Sequence, residues 1–413
     1  MLADTALNLD LLKHIPWAVF VFCLGASVGS FMNVVMYRLP LGMSLSMPPS
    51  RCPICGGRLR FFRENLPILG WLILRGSCRY CKQPIPIRYM LVELAMAVGF
   101  LGLYIVLFWV NTRTPWLGAI GGDWWHVQQF ARGWPAYVIL AFCFAGLVGM
   151  TVIDAKTFMI PIQIPVFVTI AAFLLWPVQA VLASPWPRVD TWPIPGVNWW
   201  WFAVATCGVI GVVIARILLA AGVLKWSFAD YEAYVTEDEP LADYPHARRE
   251  MLVELMYLLP IILCLVIGGF IGMNLPSGGP PVFLQALGAS FLGYLVGAGL
   301  EWAVRILGTF AFGREAMGLG DVHLMGAVGA VFGWFDPILI FFIAPFIGLC
   351  WVVMTSLISA VSKQGRRELP YGPHLALATL LLFLCQPIVL DAWSTLIPTV
   401  SMPQRALVEP GSN

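Results

Sequence analysis

Ten apolar runs dominate the chain, most of them near the length that crosses a lipid bilayer. They fall at roughly 16–37, 88–110, 135–153, 160–184, 199–224, 252–274, 282–307, 322–335, 337–361 and 374–396. A helix spanning the hydrocarbon needs about 20 apolar residues at about 1.5 Å rise each. The piece at 322–335 is short for a span, and reads as tilted, thinly flanked or partly re-entrant. Composition agrees: of 413 residues, 60% are hydrophobic and only 11% charged, against about 25% charged in an ordinary soluble domain. One globular core has no room for so much apolar surface, so lipid must cover it, and a water-soluble enzyme is excluded. The expected fold class is an all-α polytopic membrane protein with about ten transmembrane helices. A net charge of +2 without a long basic tract argues against a nucleic-acid partner.

Charge placement orients the runs. Residues 1–15 carry Asp4 and Asp10 against Lys13, and the first run ends at Arg38. That flank lacks the positive start of a cleaved signal, so the first run is expected to remain as an anchor with the N-terminus outside. Alternating ten crossings from there puts 18 of the 24 Lys and Arg residues in cytoplasmic loops and five outside. Nine crossings would move Lys363, Arg366 and Arg367 outside, so the short piece at 322–335 is expected to cross. Three kinds of loop stand out. Residues 43–87 are rich in Pro, Cys and Arg; residues 226–250 hold seven of the 22 acidic residues. The outside loops 111–134 and 185–198 are rich in Trp, Pro and Gly, and their Trp residues read as an interfacial belt. The organisation expected is an N-terminal part over 1–110, a membrane core over 111–396 with a two-helix insertion around 199–274, and a tail over 397–413.

Ten cysteines divide into two groups. Six lie singly in apolar runs and read as small buried residues. The other four form Cys52-Pro53-Ile54-Cys55 and Cys78-Arg79-Tyr80-Cys81 in the 43–87 loop. Two such knuckles supply four thiolates that close a tetrahedron around Zn²⁺, a small zinc-ribbon-like loop. Four thiolates leave no open coordination position, so the role expected of Cys52, Cys55, Cys78 and Cys81 is structural. Redox pairs or a disulfide framework are the other readings, and a reducing cytoplasm disfavours stable disulfides.

Two acids stand at the edges of apolar runs. Asp154 closes Met150-Thr151-Val152-Ile153-Asp154, and Asp321 closes Glu315-Ala316-Met317-Gly318-Leu319-Gly320-Asp321. A carboxylate beside hydrocarbon is costly and calls for a reason. The crossing count puts both on the cytoplasmic side, where a pair sharing a proton acts as base and acid on a water and a peptide carbonyl. Gly318 and Gly320 let an extended substrate backbone approach. Each Asp taken alone also reads as a helix cap or a charge paired with Lys156 or Arg314. Glu93, Glu254 and Glu301 read equally as polar links between helices or as functional groups. Among the His residues only His323 lies near the second acid.

Together these motifs resemble the type IV prepilin peptidases, bifunctional leader peptidases and N-methyltransferases. The resemblance runs from Gly29-Ser30-Phe31-Met32-Asn33 through Arg38-Leu39-Pro40, the double knuckle and Leu91-Val92-Glu93-Leu94. It continues through both aspartate motifs to Leu369-Pro370-Tyr371-Gly372-Pro373-His374. It implies a GxGD membrane aspartic protease with Asp154 and Asp321 catalytic, and Glu315, Gly318, Gly320 and His323 in the active-site loop. It implies cleavage of the basic leader of prepilins or pseudopilins, then methylation of the new N-terminus from S-adenosylmethionine, in the bacterial inner membrane. The chain departs from the family at Ile162, where Asp is frequent, and at His323, where Lys is usual and a His charge varies with pH. The usual architecture has eight segments, and the pair 199–224 and 252–274 is the addition. It preserves parity, leaving the two acids on one side. The acidic insert between them reads as a docking patch for basic leaders or as a solvated hairpin tip. Two alternatives remain: a peptidase without methyl transfer, and a transporter or assembly factor using the acids as a proton relay.

Overall fold

Helices account for every long element, because a backbone in lipid must satisfy its own hydrogen bonds. The computed structural model describes residues 2–52, 54–60, 63–110, 117–183, 194–230, 234, 244–362 and 370–396. Eleven α-helices follow one another among them: α1 Leu2–Arg38, α2 Leu69–Ile73, α3 Arg88–Tyr104, α4 Leu117–Thr157, α5 Gln163–Leu182 and α6 Trp199–Ala220. Then come α7 Ala247–Gly272, α8 Val282–Phe312, α9 Leu319–Phe332, α10 Phe335–Ser362 and α11 Tyr371–Leu396. A π-helical turn, Ile105–Trp109, extends α3. Eight stretches are long and apolar enough to span a membrane, and α9 and α11 supply two shorter apolar pieces. The ten expected runs therefore all appear as helices. Among the described residues the only β pairings are isolated bridges, Arg51 with Arg58 and Ser77 with Pro84. Residues 231–233 and 235–243 of the acidic insert, the tail and the basic residues Lys363, Arg366 and Arg367 lie outside the described residues.

The chain divides into two compact units, residues 1–161 and 162–413. In the first, α1 packs on α3 through small residues: a Cβ on Gly25 or Gly29 would stand 2.7 Å from backbone atoms of Met96 or Glu93. Such close backbone approach is how helices associate where the hydrophobic effect is absent. α4 starts at Leu117, well before the expected 135, and this corrects the reading of 117–134 as an outside loop; 111–116 lie outside the described residues. Trp124 and Trp125 are buried, and Trp125 meets Phe108 edge-to-face at 5.3 Å between centroids. Their indoles are covered by neighbouring rings of the same unit, so helix packing, not the lipid surface, holds them.

In the second unit α6 and α7 form a tight pair, and α8 packs on α5, α6 and α9. The α8–α9 seam is the closest of all. A Cβ on Gly293 would lie 2.0 Å from the Gly329 carbonyl oxygen, and one on Gly297 2.2 Å from that of Met325. α8 closes at Gly313 in the left-handed conformation (φ 73°), the usual helix stop. α8 continues beyond the expected 307 to Phe312, so Arg305 lies well inside a helix. It is one of the 18 basic residues counted above in cytoplasmic loops; the structure buries it at 1% exposure, because an acid 51 residues earlier meets it.

Candidate active site and metal centre

The cysteine loop builds two matching knuckles. Cys52 N–H donates to Gly57 O at 2.9 Å and Cys78 N–H to Gln83 O at 2.8 Å. Each turn closes on a left-handed residue, Gly56 (φ 70°) or Lys82 (φ 59°). The four Sγ atoms lie within 4.8 Å of one another, with Cys52–Cys81 and Cys55–Cys78 both at 3.8 Å. Sulfurs at about 2.3 Å from a tetrahedral zinc are about 3.8 Å apart, so the tetrad fits a closed metal site. The turns also prepare the charge. Backbone N–H groups of Cys55 and Ile54 pull the Cys52 thiol down to about 6. The N–H groups of Cys81 and Tyr80 lower that of Cys78. Cys81 is held up at about 11: the Gln83 N–H lowers it, but burial and the three neighbouring sulfurs outweigh this. Between the knuckles Glu64 accepts from the Arg60 N–H at 3.1 Å and from Arg79 at 3.1 Å. These bonds keep its carboxyl below the usual range, the Arg60 N–H most of all and the Arg79 guanidinium next.

Glu93 is a link. Its Oε2 accepts the N–H of Ile68 at 2.6 Å, tying α3 to the cysteine loop where Ile68 holds a left-handed φ of 62°. A β-branched residue rarely adopts that backbone, and the carboxylate fastens it there.

Asp154 lies one turn from the C-terminal end of α4, at 4% exposure. The chain leaves the helix through Phe158, whose N–H still reaches Asp154 O at 2.9 Å. Asp321 occupies the first turn of α9 at 7% exposure. Gly318 caps that helix in an extended conformation, and its missing Cβ would stand 3.3 Å from Asp321 Oδ2. The carboxylate thus folds back over a glycine at the positive end of a helix, where an anion is stabilised. Glu301 of α8 and Tyr371 of α11 are within electrostatic range of Asp321. Glu301 is wholly buried, and neither of its oxygens has a hydrogen-bond partner among the described residues. His323, half-buried on α9, is within range of the Arg216 charge.

Sequence reasoning did not anticipate the cluster behind the Asp321 loop. Glu254 of α7 is a link: it accepts from Arg305 Nε at 3.0 Å, Arg305 Nη2 at 2.9 Å and Trp302 Nε1 at 2.7 Å. Arg305 Nη1 donates to Glu315 Oε1 at 2.5 Å and to the Met317 carbonyl. Glu315, expected in the active-site loop, is therefore there as an anchor of that loop. The one signal in the sequence was a cation at the end of an apolar run; its partner is set by tertiary packing.

A multi-pass helical membrane protein with a cysteine tetrad and a buried aspartate on a glycine-flanked helix start is the class these features define. Comparison with known families narrows it. Residues 23–107 match the bacterial peptidase A24 N-terminal domain and residues 249–353 the type IV leader peptidase family. Two separate stretches of the chain are thus similar to the type IV leader peptidases. A prepilin leader peptidase/N-methyltransferase from Aeromonas hydrophila is 24% identical over 90% of this chain and 93% of its own length. The protein of that name from Myxococcus xanthus is 48% identical, over 24% of this chain and 29% of its own length. That of Stutzerimonas stutzeri is 34% identical over 34% of this chain and 50% of its own. No solved structure matches the chain. The first match holds all four cysteines and Glu93; the second runs from α7 into α10 and holds Glu254, Arg305 and Asp321.

Proposed function

We propose that this chain is a membrane aspartic endopeptidase that removes the basic leader of type IV prepilins or type II secretion pseudopilins, and methylates the N-terminus it exposes. The observation that carries the reading is Asp321: a buried carboxylate at the start of α9, in a GxGD loop within the stretch that matches the type IV leader peptidase family. In this reading Asp154 is its partner, and the core over 111–396 carries both, with 199–274 as an insertion. One carboxyl is protonated and one ionised, and the pair titrates as a unit. The ionised member takes a proton from water as the oxygen attacks the scissile carbonyl carbon. The protonated member donates to the carbonyl oxygen. Collapse of the tetrahedral diol returns a proton to the leaving nitrogen and yields one carboxylate and one amine. A cut at the cytoplasmic edge of the inner membrane, with this chain's N-terminus outside, suits a substrate whose leader stays in water while its helix stays in lipid.

The tetrad of Cys52, Cys55, Cys78 and Cys81 would hold a structural zinc, ordering the loop between α1 and α3. The methyl donor, S-adenosylmethionine, would supply a methyl group to the freed amine; the chain carries no recognisable fingerprint for it. Incubating the purified protein with a prepilin and sequencing the product tests the reading. Asp154→Asn and Asp321→Asn should each abolish leader removal at normal expression and metal content. Leader removal that survives either change would overturn the catalytic pair, and a proton-relay transporter would then account for the acids.

A further inference from the structure

We propose that Arg305 is the positioning residue of the GxGD loop, held in place by Glu254 of α7 and acting on the reaction through Asp321. The claim rests on reading Asp321 as one of the two catalytic acids. Its basis is the way one guanidinium spends its donors. Nε and Nη2 make a side-on pair with Glu254, at 3.0 and 2.9 Å to Oε1. The remaining nitrogen, Nη1, leaves the helix and takes two acceptors in the loop between α8 and α9: Glu315 Oε1 at 2.5 Å and the Met317 carbonyl. Thr309 Oγ1, also on α8, accepts the N–H of Ala316 at 3.1 Å. Three consecutive loop residues are thus fastened to one helix, and Asp321 follows four residues after the last.

The rest of α9 is fixed differently. Its later turns are locked to α8 by the glycine contacts at Met325 and Gly329. Those contacts set the helix axis, but the first turn and its carboxylate depend on where the preceding loop is held. α7 braces the same region twice: besides Glu254, Arg248 Nε donates to the Phe310 carbonyl at 3.0 Å, closing the end of α8. The face of the guanidinium is covered by the Phe228 ring, 5.2 Å from centroid to Cζ. Phe228 N–H in turn donates to Glu250 Oε2 at 2.8 Å. A rigid path therefore runs from the α6–α7 connection to the loop bearing Asp321.

Burying an ion pair is a poor way to gain stability, since apolar residues of similar volume often serve as well. The side chains of Arg305 and Glu254 are 2% and 4% exposed. Their retention at such depth fits a positional role, because a planar fork can fix two bonds to an acid and two to a loop at once. A lysine offers a single point of charge and would hold only part of the set.

The test uses the full-length protein in detergent with a purified prepilin. The double variant Glu254→Leu/Arg305→Met replaces the pair with apolar volume. It should lose about 100-fold in kcat, the scale expected when a reacting group is misplaced by about 1 Å, while KM stays within about twofold. Arg305→Lys should fall between it and the native protein. Hydrogen–deuterium exchange over residues 313–321 should be faster in both. Thr309→Val removes the Ala316 anchor without touching the ion pair, and should lower kcat by a smaller factor in the same direction. If the double variant fails to fold, Arg305→Lys and Thr309→Val decide. Native kcat and native exchange in every variant that folds would overturn the proposal. A native protein that cleaves no prepilin would defeat the peptidase reading instead, and the exchange measurement would still report on the anchor.

Discussion

Substituting Gly293 by alanine should uncouple α9 from α8 and take activity with it. The added methyl would sit 2.0 Å from the Gly329 carbonyl oxygen and 2.7 Å from its carbon. Carbon–oxygen contacts between packed helices reach down to about 3.3 Å, so the seam must open by more than about 1 Å. The blocking atoms are backbone, and no side chain can rotate out of the way. Overpacking of a tight site costs about 1–3 kcal/mol, and a backbone clash belongs at the upper end, near 3 kcal/mol. Asp321 rides on the helix that moves, and a displacement of about 1 Å at a reacting group costs about 100-fold in rate. Gly299 lies on the same helix, and a Cβ there meets nothing within 4 Å. Gly299→Ala is the matched control, expected to be neutral or more stable by up to about 1 kcal/mol. Thermal unfolding in detergent and prepilin cleavage report on the two variants side by side. If Gly293→Ala matches Gly299→Ala in both, the close seam does not position Asp321 and the reasoning fails.

The cysteine tetrad makes two further predictions. Cys78→Ser should lower bound zinc from about one per chain to background by atomic absorption; a variant retaining stoichiometric metal would refute the shared site. Metal binding needs thiolates, and Cys52, pulled down to about 6, supplies the readiest one. Affinity measured against a chromogenic chelator should therefore weaken as pH falls through about 6, with protons released on binding. A flat affinity from pH 7 to 5 would contradict that ordering. Glu64 has a carboxyl lowered from 4.5 by the Arg60 N–H and by Arg79. The loop stability it contributes is fully present above that pH and is lost as pH falls below it, through the lowered folded value. Glu64→Gln should remove this acid-side step from the unfolding profile of the metal-free loop; an unchanged profile would count against it.

What could be read from the sequence divides along physical lines. A span is a local property, so ten apolar runs predict ten helices, although α1 and α4 begin well before their runs do. The knuckles are local too: CxxC with a left-handed residue after it builds its own turn, and only the pairing of the two knuckles is tertiary. Arg305 shows the opposite case. A cation at the end of an apolar run looks like a cytoplasmic flank, and its burial depends on Glu254, 51 residues away. The Trp-rich stretch before residue 135 misled for the same reason. Aromatic residues suit a lipid interface and a packed helix core equally, and Phe108 and Phe130, both ring partners in that cluster, decide between them.

The short helix explains why so much packing converges on one loop. α9 has 14 residues, which at about 1.5 Å rise cover about 21 Å, well short of the about 30 Å of hydrocarbon. Non-helical backbone beside so short a helix is tolerated at membrane depth only when protein or water surrounds it. The helix itself is enclosed by protein. From Asp321 to Val331 every residue of α9 except His323 is buried, whereas α10 exposes Phe342, Phe346 and Leu349 as a lipid-facing helix does. The carbonyl of Met317 and the N–H of Ala316 are satisfied by Arg305 and Thr309. If Asp321 is catalytic, as proposed, its carboxylate would meet a substrate at the start of a helix that Gly293 and Gly297 fix against α8.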